Sequence, residues 1–106
     1  MEKLFNALIT EEGTANATAI MELLSTCKVS YVERKEIFGT RFRLTIGVND
    51  HDLCGVNYTI DGLIYDNNEM SDCVYTFHND DYEEYAGEGP IDYESLQACI
   101  EEIENF

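Results

Sequence analysis

The sequence predicts an α+β fold, with two N-terminal helices, an antiparallel sheet of four or five strands and a C-terminal helix packed on one face of the sheet. Apolar residues recur at helical spacing up to Leu24, alternate with polar residues between Val29 and His78, and return to helical spacing after Pro90. A run of strands flanked by helices is typical of this class. With 106 residues, the chain is expected to form one domain over residues 1–106.

The first helix is expected over residues 2–9, ending near Gly13. Thr14 is expected to cap a second helix that continues to Leu24. Both apolar stripes are typical of core packing, so neither is assigned a function. The stripe positions are Leu4, Phe5, Leu8 and Ile9 in the first helix and Ala15, Ala17, Ala19, Ile20, Met21, Leu23 and Leu24 in the second.

The clearest strand pattern spans residues 40–48, where apolar and polar residues alternate. One face of this strand is therefore expected to be buried and the other exposed. A two-residue turn that begins at Gly39 would place Glu36 opposite Arg43, a favourable cross-strand pair. The same register sets Lys35 against an apolar partner, so a bulge or a longer turn is the alternative.

Three further segments complete the predicted sheet. Residues 56–60 alternate as a third strand, and Asp61-Gly62 predicts either a tight hairpin turn or a bulge before the apolar segment 63–65. Residues 66–69 are typical of a turn. Residues 73–78 form the last predicted strand.

An acidic loop is expected to follow directly, over residues 80–88. Seven of the fifteen residues from 80 to 94 are acidic and none is basic. After residues 87–90, Asp92 is expected to be the N-cap of the last helix. The expected buried positions of that helix are Leu96, Cys99, Ile100, Ile103 and Phe106, whereas Glu101, Glu102 and Glu104 lie at the negative end of its dipole.

The net charge of −16 belongs entirely to the second part of the chain. Residues 1–43 contain six bases and six acids, whereas residues 44–106 contain sixteen acids and neither lysine nor arginine. Solubility requires a net charge of only about 2 to 8, and like charge on a small domain costs stability. Adaptation to high salt would acidify the whole surface, so the uneven distribution favours a functional acidic face.

Composition also restricts the class of protein. Hydrophobic residues make up 44% of the chain, which argues against intrinsic disorder. The first apolar run is too short for a signal peptide and no run could span a membrane, so we expect a cytoplasmic protein. The widely spaced Cys27, Cys54, Cys73 and Cys99 are expected to be reduced, largely buried thiols, and no cofactor is expected.

A calcium loop is the nearest match to a metal site. Asp50, Asp52 and Gly55 match the first, third and sixth positions of an EF-hand loop, and Asp61 the twelfth. Cys54 occupies the fifth position, where an oxygen ligand belongs, and the flanking segments are predicted strands. A small metal-binding or enzymatic domain using residues 50–61 is therefore kept only as an alternative function.

The sequence indicates neither an enzyme nor a nucleic-acid-binding protein. His51 and His78 could act as bases, but no catalytic motif surrounds them. Direct binding to nucleic acid is opposed by the charge, because affinity for its backbone depends on Lys and Arg. The reverse relation is chemically reasonable, because a carboxylate accepts the arginine fork much as a phosphate does.

In size, charge and lack of motifs, the chain resembles the small acidic inhibitors made by phages and mobile elements, which include DNA-mimic proteins and many anti-CRISPR proteins. The resemblance is concentrated in residues 78–85, His-Asn-Asp-Asp-Tyr-Glu-Glu-Tyr. It implies a non-catalytic inhibitor, in a bacterial host, that binds the positively charged nucleic-acid groove of a defence nuclease or its effector complex. An immunity protein that neutralises a toxin nuclease is the other alternative.

The expected partner-binding residues fall into three sets. Carboxylates on the acidic stretch would replace phosphates, tyrosines between them would stack on guanidinium groups, and acids before the last strand could extend the surface. These sets are Asp80, Asp81, Glu83, Glu84 and Glu88; Tyr82 and Tyr85; and Asp66, Glu69 and Asp72.

Overall fold

A computed structural model describes residues 1–48 and 55–106 of the chain. It confirms the α+β prediction, with three helices and a five-stranded antiparallel sheet. The elements are α1 (Glu2–Glu12), α2 (Thr14–Ser25), β1 (Lys28–Lys35), β2 (Gly39–Gly47), β3 (Asn57–Tyr65), β4 (Cys73–His78), β5 (Glu83–Gly89) and α3 (Tyr93–Glu104). Within the described ranges, no helix is long and apolar enough to cross a membrane.

The sheet is a meander in which strand order follows chain order, so β1 and β5 are its two edges. One face carries the core, and α3 packs there against β2 and β3. Burying a large aliphatic side chain there contributes roughly 1.5–3 kcal/mol. The fully buried aliphatic side chains of this core include Leu4, Leu8, Ile20, Leu44, Ile46, Ile60, Ile64 and Leu96. No helix in the described part of the chain covers the other face, which presents Arg41, Arg43 and Thr45 as predicted.

The β1–β2 turn is neither at Gly39-Thr40 nor longer than predicted, because it lies two residues earlier in the chain, between Glu36 and Gly39. Lys35 pairs with Thr40, and the Glu36 N–H donates to the carbonyl of Gly39 over 2.7 Å. Glu36 therefore does not lie opposite Arg43. The turn instead leaves two large apolar side chains at its tip, Ile37 and Phe38, which are 87% and 75% exposed.

The expected turn or bulge at Asp61-Gly62 is wrong, because β3 continues through both residues without a register shift. Gly62 is needed for packing and not for turning. A Cβ there would lie 2.9 Å from the Phe42 ring and 2.7 Å from the Cys73 sulfur. The glycine leaves room for the Phe42 side chain, which comes from the neighbouring strand.

The expected cap of α2 is also wrong. Thr14 is the first residue of the helix, and Gly13 is the N-cap, with no capping hydrogen bond from a side chain. Gly13 also ends α1, where its N–H donates to the carbonyl of Ile9 over 2.9 Å. Its φ of 87° is accessible mainly to glycine, so one residue ends the first helix and begins the second.

The N-cap of the last helix and the turn before β4 were predicted correctly, whereas Phe106, expected on the buried face, lies beyond the end of α3 and is exposed. Asp92 is the N-cap of α3, and its Oδ1 accepts a hydrogen bond of 2.7 Å from the Ser95 N–H. The turn over residues 66–69 includes Asn68 in the left-handed region, with φ of 69°.

Three cysteines lie in the described part of the chain, and all are free thiols. Cys73 and Cys99 are buried, as expected, and Cys27 is half-buried. Burial is the largest cause that raises the pKa of Cys73 and of Cys99 to about 12, so both stay protonated at neutral pH. Cys54 lies outside the described residues.

Candidate functional site

The acidic stretch was expected to be a loop, and this prediction is wrong. It is a tight turn followed by the edge strand β5. The Asn79 N–H donates to the carbonyl of Tyr82 over 3.0 Å and closes the β4–β5 hairpin. The Asn79 Oδ1 accepts hydrogen bonds from the backbone N–H groups of Asp81, at 2.8 Å, and Tyr82, at 3.2 Å. These bonds hold Asp80 and Asp81 exposed at the tip of the hairpin.

The side chains of β5 alternate between the two faces of the sheet. Glu83 pairs with His78 on the open face, whereas Glu84 pairs with Phe77 on the core face. A register shift opposite Tyr75 then returns Glu88 to the open face, where it pairs with Val74. We call this set of exposed acids, Asp80, Asp81, Glu83, Glu84 and Glu88, the acidic edge.

The two tyrosines of the candidate site are exposed. Tyr82 ends the turn and is 51% exposed, and Tyr85 lies on β5 and is 59% exposed. Tyr85 pairs with Thr76, which places its ring on the open face beside the acids of the same strand. A rigid aromatic ring among carboxylates offers a stacking surface for a guanidinium group.

Asp66, Glu69 and Asp72 lie in the β3–β4 connection, and the length of β4 separates them from the Asp80 turn. Asp72 directly precedes Cys73, which pairs with Gly89, so this acid lies at the Glu88 end of the acidic edge. The Asp66 carboxylate accepts a hydrogen bond of 2.9 Å from Lys35, which lowers the pKa of Asp66. Asp66 is therefore already paired within the molecule.

Ion pairs with lysine or arginine are confined to the other half of the sheet in residues 1–48 and 55–106. They use three carboxylates, those of Glu36, Asp61 and Asp66. The pairs are Arg34 with Glu36 (3.0 Å), Arg41 with Glu36 (2.9 Å), Lys35 with Asp66 (2.9 Å) and Arg43 with Asp61 (2.7 Å). On the acidic edge, Glu83 lies 3.6 Å from the imidazole of His78, and its charge adds to that of Asp61 in raising the pKa of Arg43.

His78 lies in a shallow depression on the open face. Its Nε2 is 3.0 Å from the hydroxyl of Thr59, and its Nδ1 faces Glu83. The depression, of about 460 Å³, is also lined by Arg43 and by the Asp80 turn. The imidazole is thus held between a hydroxyl and a carboxylate, an arrangement that can move a proton but is equally suited to anchoring the start of β5.

A second concavity lies between β5 and α3. It measures about 380 Å³, and small residues from both elements line it together with Tyr58 and Glu102. Sequence reasoning missed this groove because its walls come from four separated elements, β3, β4, β5 and α3. The only local signals are the small residues Gly87 and Gly89 on the strand and the Ala98–Glu102 spacing of four on the helix.

The metal alternative receives no support from the geometry that can be described. Asp50, Asp52 and Cys54 lie outside the described residues, and Asp61 is paired with Arg43. In residues 1–48 and 55–106, no group of three or more potential ligands converges.

No protein-family model, curated protein or solved structure matches this chain.

Proposed function

We propose that the protein is a non-catalytic inhibitor that uses its acidic edge to occupy the positively charged nucleic-acid groove of a bacterial defence nuclease. The observation that carries this proposal is the gathering of five exposed carboxylates on one hairpin, none of which forms a lysine or arginine ion pair within the described residues. The lysine and arginine pairs among the described residues use acids up to Asp66. The acids from Asp72 to Glu104 form no such pair within the described ranges.

Surface carboxylates without counter-ions repel one another, and the fold gathers five of them on one hairpin. Such an arrangement costs stability unless a cation from outside the chain neutralises it. A nucleic-acid groove supplies these cations as Lys and Arg side chains, positioned for a phosphate backbone that carries one charge per about 1.7 Å of duplex. The exposed Tyr82 and Tyr85 add surfaces on which guanidinium groups can stack.

The test is capture of partners from a bacterial lysate with three proteins. They are the wild type, an acidic-edge variant D80N/D81N/E83Q, and a control variant E2Q/E12Q/E22Q. Both variants lose three negative charges, but the control acids lie on α1 and α2. We expect a nucleic-acid-binding protein to be retained by the wild type and the control and lost by the acidic-edge variant.

Two further measurements on the captured protein decide the mechanism. Nucleic acid should compete with the wild type for it, because both occupy the same groove. A several-fold rise in salt should weaken the complex strongly, because its attraction is electrostatic. Identical partners for all three proteins, or binding that is indifferent to salt, would overturn the proposal.

A further inference from the structure

The outer edge of β5 offers unused backbone groups. Hydrogen-bonded and non-hydrogen-bonded pairs alternate along an antiparallel ladder. Since the Asn79 N–H bonds to the Tyr82 carbonyl, the backbone N–H and C=O groups of Glu83 and Tyr85 point away from β4. No strand within the described ranges pairs with this edge, and such an edge is a template for an added strand.

The groove between β5 and α3 runs beside this edge and has room for a side chain. Its strand wall contains Ala86, Gly87 and Gly89, and its helix wall contains Ala98 and Cys99. An additional Cβ at either glycine would meet no atom within 4 Å. A long aliphatic stem can therefore lie in the groove against these small apolar walls.

The groove also has two acids in its lining, Glu88 on β5 and Glu102 on α3. Tyr58 donates its hydroxyl hydrogen bond to Glu102 Oε2, and both residues line the groove. Burial, this hydrogen bond and the nearby carboxylate of Glu84 raise the pKa of Tyr58, so the hydroxyl stays protonated. Neither Glu84 nor Glu102 has a lysine or arginine partner in the part of the chain that the structure describes.

We propose that the outer edge of β5 takes an extended segment of the partner as a sixth strand, with a Lys or Arg side chain of that segment in the β5–α3 groove. The inference rests on the proposed function, since it names the partner chemistry of the acidic edge. In an added strand, alternate side chains point to opposite faces. Cations on one face would meet Glu84 and Glu102, and those on the other would meet Glu83 and Glu88.

Two peptide probes test strand addition on the ¹⁵N-labelled wild type. One is the all-L peptide Arg-Thr-Arg-Thr-Arg-Thr-Arg, and the other has the same sequence with D-threonine, which keeps the charge but disfavours a strand. We expect the all-L peptide to bind about tenfold tighter, because about two additional backbone hydrogen bonds form. It should also slow amide exchange of Glu83 and Tyr85. Equal affinity, or exchange unchanged at these two amides, overturns strand addition.

A variant that fills the groove tests the side-chain site without changing charge. Ala98→Leu places a larger side chain on the groove wall, and Gln97→Leu is its control, because Gln97 is exposed on α3 but does not line the groove. We expect A98L to weaken the all-L peptide several-fold and Q97L to leave it unchanged. Equal binding by the two variants overturns the groove assignment.

The lysate partner separates this inference from the proposed function. Loss of the partner by D80N/D81N/E83Q, with full retention by A98L and no protection of the Glu83 and Tyr85 amides, would leave the proposed function standing and overturn strand addition. Retention by both variants would overturn both.

Discussion

The two edge strands of the sheet differ in whether the acids beside them form ion pairs within the chain. Beside β1, the guanidinium groups of Arg34 and Arg41 both donate to the carboxylate of Glu36, over 3.0 and 2.9 Å respectively. Beside β5, Glu83 lies 3.6 Å from the imidazole of His78, and no lysine or arginine of the described residues forms an ion pair with it. The ion pairs beside β1 therefore stabilise the β1–β2 turn, whereas the carboxylates of β5 are available to an external cation.

The two hairpins also differ in how tightly their backbones approach the rest of the fold. A Cβ at Gly39, at the start of β2, would collide with the Ile64 carbonyl oxygen and lie 3.0 Å from Tyr65 Cα. A Cβ at Gly89, at the end of β5, would meet nothing within 4 Å. The hairpin near β1 is closely packed, and the hairpin that ends in β5 is open.

The largest expected effect is a loss of stability when an alanine replaces the closely packed Gly39. We expect G39A to lower the free energy of unfolding by about 3 kcal/mol, because backbone atoms cannot move aside as a flexible side chain can. The matched variant G89A should stay within about 0.5 kcal/mol of the wild type. Urea denaturation followed by circular dichroism measures both. Similar losses for the two variants would contradict the close approach at Gly39.

A smaller effect is expected at Asp92, the N-cap of α3. Replacing Asp92 by alanine removes the cap of α3 and should cost about 1 kcal/mol of stability. Asp81→Ala, on the exposed turn of the acidic edge, should change stability by less than about 0.5 kcal/mol. Urea midpoints compare the two, and a larger loss for D81A would show that the acidic edge stabilises the fold.

The paired acids predict how stability depends on pH. Hydrogen bonds from Arg41 and Arg34 lower the pKa of Glu36 from 4.5, and a hydrogen bond from Lys35 lowers that of Asp66 from 3.8. A carboxyl with a lowered folded pKa stabilises above its unfolded pKa, and this contribution is lost as pH falls through the folded value. Wild type should therefore lose more stability than E36Q/D66N between about pH 5 and pH 2.

Urea midpoints measured at closely spaced pH values test that difference. Parallel pH profiles for the two proteins would show that these ion pairs contribute nothing to folding, and the contrast between the two edges would lose its basis.

The smallest expected effect concerns salt. Raising salt to about 1 M shortens the Debye length to about 3 Å and screens the repulsion among the unpaired acids. Stability of the wild type should therefore rise with salt. The rise should be smaller for D80N/D81N/E83Q than for the control E2Q/E12Q/E22Q, because only the first removes charge from the crowded edge. Thermal melting at several salt concentrations measures the rise, and equal gains would contradict crowding at the acidic edge.

The sequence predicted the architecture because its periodic segments are long and their signals are local. Nine residues of alternation identify β2, and helical spacing with the Asp92 cap identifies α3. The prediction failed at Gly62, because a glycine inside a strand resembles a turn unless the position of the Phe42 ring is known. Packing against another strand is not a local property of the sequence.

The acidic edge was predicted in composition but not in conformation. Residues 83–89 contain no alternation of large apolar side chains, so nothing local indicated a strand. Pairing with β4 supplies the strand conformation from outside the segment. The β5–α3 groove was missed for the same reason, since Tyr58 and Ala98 become neighbours only in the folded chain.

The meander order also has a consequence for the order of folding. Each strand pairs with the one before it, so strand pairing closes only short loops, which favours fast folding. Strands β1 to β3, which carry the lysine and arginine pairs, can assemble before β5 is added. We therefore expect the mutually repelling carboxylates to be brought together late on the folding pathway, where their repulsion would mainly accelerate unfolding and scarcely slow folding.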